Sequence, residues 1–419
     1  MITAIHDMTL SDLTDKGCLS LRKMVDFTLQ IWHAVTAARL FDALQRTVLS
    51  IILTDTLKMG CLMKLSRRKF FKICLAAAGT AGISVLGCSR MRHRSGCSST
   101  EKDTITTALP SGNSENTGDV YKPGYLALEA SGELEQRERE LWKKMERCGL
   151  CPRMCGANRM AGRMGMCSSD HTFKVASHGP HFGEEQPLVG QHGSGTIFFS
   201  NCNLLCIFCQ NWQIAHRGEG RETSHTQLAN IMLSLQRRGC HNINLVTPSH
   251  LVPHIITSLR LAIAQGLNIP LLFNSSGYEL LEVIQLLDGV VDVYLPDFKY
   301  QDPVLAARFS QGAPNYTQYA AAAIKEMHRQ VGTLKTTSGI ADRGLLIRHL
   351  VLPKNTAGTD AFVRWVANEL GVDTHVNIMG QYSPQFRAND FPPLNRRPTR
   401  EEIEQAMRWA REAGLRNFH

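Results

Sequence analysis

Outside one short segment, the chain has almost no net charge. The 419 residues carry a formal charge of +9, but residues 64–95 contain eight Lys or Arg and no Asp or Glu. The rest of the chain therefore has a formal charge of +1. A protein that binds nucleic acid needs a basic surface, so a nearly neutral body gives no support for a nucleic-acid partner.

The sequence also lacks an apolar run that could form a permanent transmembrane helix. The apolar stretch 73–86 is too short and too rich in Ala and Gly, since a span needs about 20 apolar residues. It follows Ser66-Arg67-Arg68-Lys69-Phe70-Phe71-Lys72 and ends at Cys88. The pattern resembles a twin-arginine export signal with a lipobox-like end, which predicts membrane attachment through a lipidated Cys88. The alternative is the basic start of an amphipathic helix.

The position of this signal is unusual, because export signals begin near the N-terminus and this one begins after residue 60. Met63 directly precedes its first lysine, so we interpret the preceding residues as an over-extended start assignment. The following Ser-, Thr-, Gly- and Asn-rich segment is typical of a disordered tether. We predict five segments: an irrelevant or unstructured start (1–62), the signal (63–88), a disordered linker (89–123), a helix with a four-cysteine metal module (124–190) and a core barrel (191–419). The helix is predicted over 126–145, where Glu133 with Arg137 and Glu135 with Arg139 have the i,i+4 spacing of helix-surface ion pairs.

The 13 cysteines do not suggest a disulfide framework. Such frameworks belong to small secreted chains, whereas this chain is large and groups seven of its cysteines in two tight sets. Tight grouping is typical of metal sites. The first set comprises Cys148, Cys151, Cys155 and Cys167, and the second comprises Cys202, Cys206 and Cys209.

The second set has no fourth cysteine. Segment 201–212 has the spacing C-x3-C-x2-C, so its thiolates can bind three corners of a [4Fe–4S] cube and leave one iron open. Ferredoxins that only carry electrons give every iron a cysteine, so an open iron indicates chemistry on a small molecule. The alternative is a zinc knuckle, which usually needs a fourth ligand, and His216 is the nearby candidate.

This cysteine loop resembles the signature of the radical S-adenosylmethionine (radical SAM) superfamily. The resemblance implies that SAM chelates the open iron and is cleaved reductively to a 5′-deoxyadenosyl radical. It also implies that Phe208 lies near the adenine. A low-potential electron donor, such as a flavodoxin or ferredoxin, would then be a partner.

The first set has the spacing C-x2-C-x3-C-x11-C. Four thiolates suit either a tetrahedral zinc ion or a complete [4Fe–4S] cluster, and the spacing does not choose between them. Two roles are open for this site. It could be a purely structural metal site that fixes the N-terminal module to the barrel, or an auxiliary cluster that relays electrons or binds substrate.

From residue 195 onward, short apolar segments alternate with helical stretches, and the predicted helices include 226–238, 251–265, 278–287 and 316–331. This alternation predicts an α/β fold with a parallel sheet and helices outside it. Six such units make a partial (β/α)6 TIM-type barrel, the architecture that the resemblance implies, with its chemistry at the C-terminal strand ends. The predicted strands are 196–200, 242–247, 270–274, 292–296, 345–352 and 375–381.

Polar residues cluster in or after these predicted strands, and we expect several to contact the cofactor. Alone, each could be a helix cap or a satisfied loop contact. Segment 247–250, Thr-Pro-Ser-His, departs from the Gly-Gly-Glu-Pro motif with which many relatives contact the SAM amino group. The expected cofactor-binding residues are Phe208, Asn274, Ser276, Asp297, Lys299, Arg348 and His349.

Longer segments extend the resemblance to one family, the pyruvate formate-lyase activating enzyme homologues. The segments are the cysteine loop, 179–185, 242–248, 294–300 and 394–397, within a resemblance that covers about 145–419. For glycyl-radical activases, the resemblance implies removal of a hydrogen atom from a backbone glycine of a partner. We therefore expect a radical SAM enzyme that acts on a glycyl radical enzyme, and modification of a small molecule or of another protein residue is the alternative within the same class.

Two alternatives from other functional classes stay open at this point. One is a lipid-anchored iron–sulfur electron carrier without SAM turnover, and the other is a non-catalytic zinc-binding module. The location is also open, because the signal indicates export or anchoring, whereas SAM and low-potential reductants are cytoplasmic.

Overall fold

The structure, a computed structural model, describes residues 121–419. The interpreted start, the export signal with Cys88 and nearly all of the predicted linker lie outside the described residues. Within 121–419, no helix combines the length and apolar character that a membrane crossing needs.

The described residues form a mixed α/β fold. The strands are β1 (Lys174–His181), β2 (Ser194–Phe199), β3 (Arg221–Glu222), β4 (Ile243–Val246), β5 (Leu271–Ser275), β6 (Val293–Pro296), β7 (Lys335–Thr337), β8 (Ile340–Leu350) and β9 (His375–Met379). The helices are α1 (Tyr125–Ala130), α2 (Glu133–Lys143), α3 (Gln186–Val189), α4 (Trp212–Arg217), α5 (His225–Arg237), α6 (Val252–Ile263), α7 (Leu281–Gln285), α8 (Pro303–Phe309), α9 (Tyr316–Val331), α10 (Thr359–Glu369) and α11 (Arg400–Glu412). Short 3₁₀ turns occupy Arg159–Ala161, Ser249–Leu251, Pro353–Asn355 and Ala388–Asp390.

The nine strands form one sheet with six parallel strands at its centre. Their order is β3-β1-β2-β4-β5-β6-β8-β7, and β9 also pairs with β8. Strands β2, β4, β5, β6, β8 and β9 pair in parallel, while β1, β3 and β7 are antiparallel additions. At least one helix lies between each pair of consecutive parallel strands, as right-handed crossover connections require. The predicted α/β fold with a parallel-rich sheet is confirmed.

Each predicted strand overlaps one of the six parallel strands, but one boundary differs clearly. Strand β8 begins at Ile340, whereas the predicted strand begins at residue 345. The extra residues pair in an antiparallel hairpin with β7, whose three residues are all exposed. An exposed strand has no apolar alternation, so the sequence pattern does not reveal it.

The predicted helix over 126–145 is wrong as a single element. It divides into α1 and α2, because Gly132 between them has a left-handed φ of 78°. Glycine adopts this conformation without a Cβ penalty and often ends a helix. Two expected ion pairs of α2 are confirmed: Glu133 with Arg137 and Glu135 with Arg139, each at 2.5 Å.

The core lies between the parallel strands and the helices, and it fixes the orientation of the strand ends. Apolar side chains of the central strands, such as Leu245, Phe273 and Tyr294, are buried with those of α5, α6 and α9. Helix α5 starts at a capping box between Ser224 and Gln227, which satisfies free amides of its first turn. Because the six strands are parallel, their carboxyl ends meet at one edge of the sheet.

Candidate active site

A cavity of about 720 Å³ opens at the carboxyl ends of the parallel strands. Pockets of roughly 300–1,000 Å³ are typical of sites for small molecules and cofactors. Nine residues expected at the site from the sequence line this cavity: Cys202, Cys206, Phe208, Cys209, Asn274, Ser276, Asp297, Lys299 and Arg348. The rule that chemistry lies at the strand ends therefore brings most of the predicted residues together.

The cysteine loop directly follows β2 and is shaped by two left-handed residues. Asn201 has a φ of 71° and Leu205 a φ of 59°, which turn the chain sharply on either side of Cys202. The amide of Ile207 donates to the carbonyl of Phe309 at 2.9 Å. All eight cysteines within residues 121–419 are free thiols, so the loop's sulfurs are available as ligands.

Two thiols of the loop ionise less readily than an exposed cysteine. Burial, followed by the charge of Cys206, raises the pKa of Cys202 to about 11. Burial and the charges of Cys206 and Cys202 raise the pKa of Cys209 to about 12. A coordinated metal reverses this effect, because its positive charge deprotonates the thiols that bind it. This donor set therefore fits a cationic iron centre.

The number of thiols bears on the type of centre that the loop suits. A [4Fe–4S] cube takes one thiolate per iron, so three thiolates leave one iron without a protein ligand. A structural zinc ion would need a fourth protein ligand.

Asp297 and Lys299 form an ion pair in the cavity wall. Lys299 Nζ lies 2.6 Å from Asp297 Oδ2. Burial alone would lower the pKa of Lys299, but the charges of Asp297 and Cys206 more than offset it and raise that pKa. The pair thus presents a fixed cation and a carboxylate to the same cavity, which suits polar recognition of a ligand with both charges.

Arg348 is held by two acidic residues that the sequence analysis does not include among the site residues. Its Nε donates to Glu185 Oε1 at 2.7 Å, its Nη2 lies 2.6 Å from Glu185 Oε2, and Nη2 also pairs with Glu184. Burial raises the pKa of Glu185, but the hydrogen bonds and charge of Arg348 outweigh it and hold that pKa low. Asn377 Nδ2 donates to the same carboxylate at 2.8 Å. The adjacent acidic pair within segment 179–185 is the sequence signal that points to these residues.

His349 lies away from the cavity, although its neighbour Arg348 lines it. One ring nitrogen lies 2.6 Å from the carbonyl of Phe298 and the other 2.9 Å from Thr359 Oγ1. The imidazole stacks on Phe362 with a centroid distance of 4.2 Å. Successive side chains of a strand point to opposite faces, so Arg348 and His349 cannot both face the cavity. His349 therefore packs against Phe362 and does not line this cavity, and its contact with the cofactor stays a prediction.

Aromatic and polar side chains complete the cavity wall. Phe208 is buried, with its ring edge-on to those of Tyr300 and Tyr382. Asn274 Oδ1 accepts a hydrogen bond from Arg348 Nη1 at 3.4 Å. Thr247, the first residue after β4, lines the cavity with a left-handed φ of 62°.

The four-cysteine set lies next to the cysteine loop but does not line the cavity. Cys148, Cys151 and Cys167 are buried, and Cys155 is half-buried. Arg153, between the second and third of these cysteines, donates to the carbonyl of Asn203 at 2.8 Å. The two cysteine sets are therefore in adjoining segments of the fold.

The sequence model of the radical SAM superfamily matches residues 196–341, from β2 through the start of β8. The matched span begins just before the cysteine loop. The chain belongs to the radical SAM superfamily. Members of this superfamily are enzymes that use a [4Fe–4S] cluster and SAM, so this radical SAM protein is expected to bind both.

Two further comparisons place this radical SAM protein among known chains. It is 33% identical over 276 residues to "Uncharacterized protein MJ0674" of Methanocaldococcus jannaschii. The aligned region covers 64% of this chain and 75% of that protein. A solved structure titled "Structure of TYW1 with a lysine-pyruvate adduct bound" matches with a TM-score of 0.34 and 13% identity. That match covers 52% of this chain and 73% of the solved one.

Proposed function

We propose that Cys202, Cys206 and Cys209 bind the [4Fe–4S] cluster of this radical SAM enzyme and that SAM occupies the adjoining cavity. When bound, the cluster supplies an electron that cleaves SAM to a 5′-deoxyadenosyl radical. The observation that carries this proposal is the position of three free, largely buried thiols in the wall of one large cavity. The six parallel strands would curve into the partial barrel that surrounds it.

The other cavity residues would bind and orient SAM. Phe208 offers an apolar face for the adenine. Asp297 can accept hydrogen bonds from ribose hydroxyls, and Lys299 can bind a carboxylate, because the pair presents both charges at 2.6 Å from each other. We propose that Asn274 and Ser276 supply further polar contacts from the end of β5.

Arg348 would act as a positioning residue rather than as a free cation for SAM. Two carboxylates already neutralise its guanidinium, while its Nη1 reaches Asn274. An arginine held in this way fixes the side chains around it, because its planar donor groups have set directions.

The proposed substrate is a backbone glycine of a partner glycyl radical enzyme, and the proposed electron donor is a flavodoxin or ferredoxin. The resemblance of segments 179–185, 242–248, 294–300 and 394–397 to activating-enzyme homologues favours a protein substrate. Phe182 gives physical support, since it lies between the cavity residues His181 and Gly183 and is 62% exposed. A docking protein would cover such an apolar side chain.

The test is SAM cleavage by the purified, iron- and sulfide-reconstituted protein under strict anaerobiosis with dithionite. We expect 5′-deoxyadenosine from the native protein and a loss of about 100-fold or more in Cys206→Ala, because a cluster ligand is removed. Cys240→Ala is the matched control, since Cys240 is a buried free thiol outside both sets. A native protein with a full, reducible cluster and no product would contradict the proposal and favour an electron carrier.

A second experiment tests the substrate separately. Pyruvate formate-lyase carrying Cα-deuterated glycine would be incubated with the loaded enzyme and SAM. Deuterium in the 5′-deoxyadenosine, with a protein radical in the electron paramagnetic resonance (EPR) spectrum, would support glycyl activation. Unlabelled product and no protein radical would contradict that substrate while leaving SAM cleavage intact.

A further inference from the structure

We infer that Cys148, Cys151, Cys155 and Cys167 bind a second [4Fe–4S] cluster, and that this cluster passes electrons to the centre held by Cys202, Cys206 and Cys209. The electron-transfer part rests on the proposed function, whereas the binding of the second cluster does not. Three observations carry the inference: the convergence of the thiols, a buried guanidinium with an unused donor, and the contacts between the two cysteine segments.

The four thiols converge on one small region. A Cβ atom added to Gly165 would lie 3.2 Å from Cys155 Sγ and 3.5 Å from Cys167 Sγ. Cys148 is joined to the same region, since its amide donates to the carbonyl of Ala157 at 2.9 Å and its carbonyl accepts from Gly156 at 3.1 Å. Cys151 lies in the same turn as Cys155, since its carbonyl accepts from the amide of Met154, the residue before Cys155, at 3.0 Å. The absence of a side chain at Gly165 leaves room between two of the sulfurs.

Arg159 supplies a buried positive charge with an unused donor. It is fully buried, with Nε donating to the carbonyl of Asp170 at 2.9 Å and Nη1 to that of His250 at 2.7 Å. Its Nη2 has no hydrogen-bond partner. Arg159 lies beside Cys148, since the backbone amides of both residues donate to the carbonyl of Ala157, at 3.0 Å and 2.9 Å.

Such an arrangement calls for a negative group beside Arg159, because a buried cation without a counter-charge is strongly destabilising. A centre with four thiolate ligands carries net negative charge, and it would satisfy the remaining donor. An apolar packing role for the four cysteines leaves Nη2 without a partner.

Four converging thiolates suit either a zinc ion or a [4Fe–4S] cluster. The position beside the cysteine loop favours the cluster, since of the two only a cluster can exchange electrons with a neighbouring iron–sulfur centre.

The two cysteine segments contact each other directly. Arg153 Nη2 donates to the carbonyls of Leu204 at 3.0 Å and Ser310 at 2.8 Å. From the other side, Asn201 Nδ2 donates to the carbonyl of Ser168 at 3.0 Å. Asn201 immediately precedes Cys202, and Ser168 immediately follows Cys167, so the backbones of the two proposed centres are joined by hydrogen bonds.

The proposed path transfers one electron at a time from the protein donor to the second cluster and from there to the first. A reduced low-potential protein donor loses one electron, and the second cluster gains it and changes from the 2+ to the 1+ state. It then returns to the 2+ state as it gives the electron to the cluster of the Cys202–Cys209 loop. No bond forms or breaks, and no proton moves.

Metal analysis of the full chain tests the binding site. The variant Cys202→Ala/Cys206→Ala/Cys209→Ala should keep about half of the native iron and acid-labile sulfide, since one of two clusters is lost. After reduction it should show the EPR signal of a [4Fe–4S]⁺ cluster that does not respond to SAM. Zinc without sulfide in this variant, or neither zinc nor iron, would overturn the inference.

A complementary variant shows whether a loss of iron reflects the loss of one cluster or a folding defect of the whole chain. Cys148→Ser/Cys151→Ser should lose the other half of the iron and sulfide and keep the cluster whose EPR signal shifts with SAM. Full iron content in this variant would overturn the second site. A missing SAM response in the native protein would instead contradict the proposed function and leave the second site standing.

Arg159 can be tested through the reduction potential. Arg159→Met should lower the midpoint potential of the cluster that survives in the triple alanine background, because a nearby cation stabilises the more negative reduced state. Arg159→Lys, which keeps the charge, should restore most of that potential. Equal midpoint potentials in all three proteins would show that Arg159 does not act on this cluster.

Reduction kinetics test the electron path. In Cys148→Ser/Cys151→Ser, reduction of the SAM-responsive cluster by a reduced flavodoxin should slow by about 10-fold or more. Dithionite, a small reductant that reaches clusters directly, should still reduce it. An unchanged rate with flavodoxin would overturn the electron-transfer role.

Discussion

Cys206 is the one cysteine of its loop that receives a hydrogen bond from a side-chain hydroxyl within the described residues. Ser310 Oγ donates to Cys206 Sγ at 3.4 Å and also lies 3.0 Å from Tyr300 Oη. Hydrogen bonds to cluster sulfurs are among the factors that set the potential of an iron–sulfur centre, because they stabilise the more negative reduced form. Ser310 is fully buried, so water does not replace this donor.

We therefore predict that Ser310→Ala lowers the midpoint potential of the cluster bound by Cys206. A hydrogen bond worth about 1 kcal/mol corresponds to about 40 mV in a one-electron couple. Redox titration monitored by EPR in the Cys148→Ser/Cys151→Ser background measures the shift. Ser258→Ala is the control, since Ser258 is a buried serine of α6 that donates to His254. An equal or higher potential in Ser310→Ala would contradict the prediction.

Glu279 is a buried carboxyl whose charge is poorly compensated. Its Oε1 accepts from Ser249 Oγ at 2.5 Å, whereas Oε2 has no partner. Burial raises its pKa to about 8, although the hydrogen bond from Ser249 acts in the opposite direction. The folded state therefore binds this proton more tightly than the unfolded state, in which a glutamate has a pKa of about 4.3. Its contribution to stability is complete below that value and is lost as the pH rises through about 8.

We predict that Glu279→Gln removes a pH dependence of stability. Between pH 5 and 8 the native protein should lose roughly 3 kcal/mol of unfolding free energy relative to this variant. Urea unfolding at several pH values measures both proteins, and the variant keeps a polar group facing Ser249. Curves that stay parallel across this range would show that Glu279 does not titrate there.

Site residues close to a strand end can be predicted from the sequence, whereas partners from distant parts of the chain cannot. Asp297 and Lys299 follow an apolar strand directly, and both line the cavity. Glu185 reaches Arg348 across 163 residues of sequence, and no local pattern encodes that pairing. The orientation of His349 depends on which face of β8 looks into the cavity, and the strand is buried on both faces.

At the scale of elements, the turns after the strands decide how closely the cavity loops can approach. Gly277 follows β5 with a φ of 75°, and an added Cβ would lie 2.2 Å from the carbonyl oxygen of Asp297. Gly132, between α1 and α2, has a φ of 78° but no atom within 4 Å of such a Cβ. An alanine at Gly132 would therefore cause only backbone strain, whereas an alanine at Gly277 would also clash with the loop after β6.

We predict that Gly277→Ala is much more harmful than Gly132→Ala. Both alanines would adopt a left-handed conformation that costs about 1–2 kcal/mol, but only the first also displaces the β6 loop, for about 1–3 kcal/mol more. Denaturant unfolding measures the difference, and SAM binding should weaken only in Gly277→Ala, because Asp297 moves. Equal losses of stability would mean that the β6 loop yields without strain.

The boundaries of a helix can be predicted from the sequence where its hydrophobic periodicity is strong. The prediction is wrong where a single residue, such as a glycine, ends the helix. Helix α9 is confirmed over Tyr316–Val331, as its amphipathic pattern predicts. The predicted helix 278–287 shrinks to Leu281–Gln285, since Gly277 and the residues after it form the turn at the end of β5. The break at Gly132 lies inside an otherwise helical pattern, where a glycine is often tolerated.

At the scale of the whole molecule, alternation of strands and helices predicts the parallel centre of the sheet but not its edges. The six parallel strands pair in chain order, which is the simplest arrangement for successive crossover units. Strands β1 and β3 are antiparallel additions on one side, and β1 is mostly exposed or half-buried. Half-exposed edge strands carry little apolar signal, so the sequence pattern leaves them out.

The two proposed clusters would also tie separate parts of the molecule together. Four ligands come from segment 148–167, before β1, and three come from the loop after β2. Within segment 148–167, the regular secondary structure is one short 3₁₀ turn, Arg159–Ala161. Metal centres in such loops stabilise the fold, because binding energy becomes folding energy. The parallel strands, by contrast, are held by ladder hydrogen bonds and by the apolar core.

We therefore predict that removing iron with a chelator under anaerobic conditions loosens the molecule locally rather than unfolding it. Amide hydrogen exchange should accelerate by about 10-fold or more in residues 144–172 and 200–211, since these segments open without their metal. Strands β4, β5 and β6 should keep their protection, and reconstitution with iron and sulfide should restore both segments. The Cys202→Ala/Cys206→Ala/Cys209→Ala variant serves as the control, because iron removal there should affect 144–172 alone. Uniform loss of protection would mean that the clusters support the whole sheet, and no change at all would mean that neither loop depends on a metal.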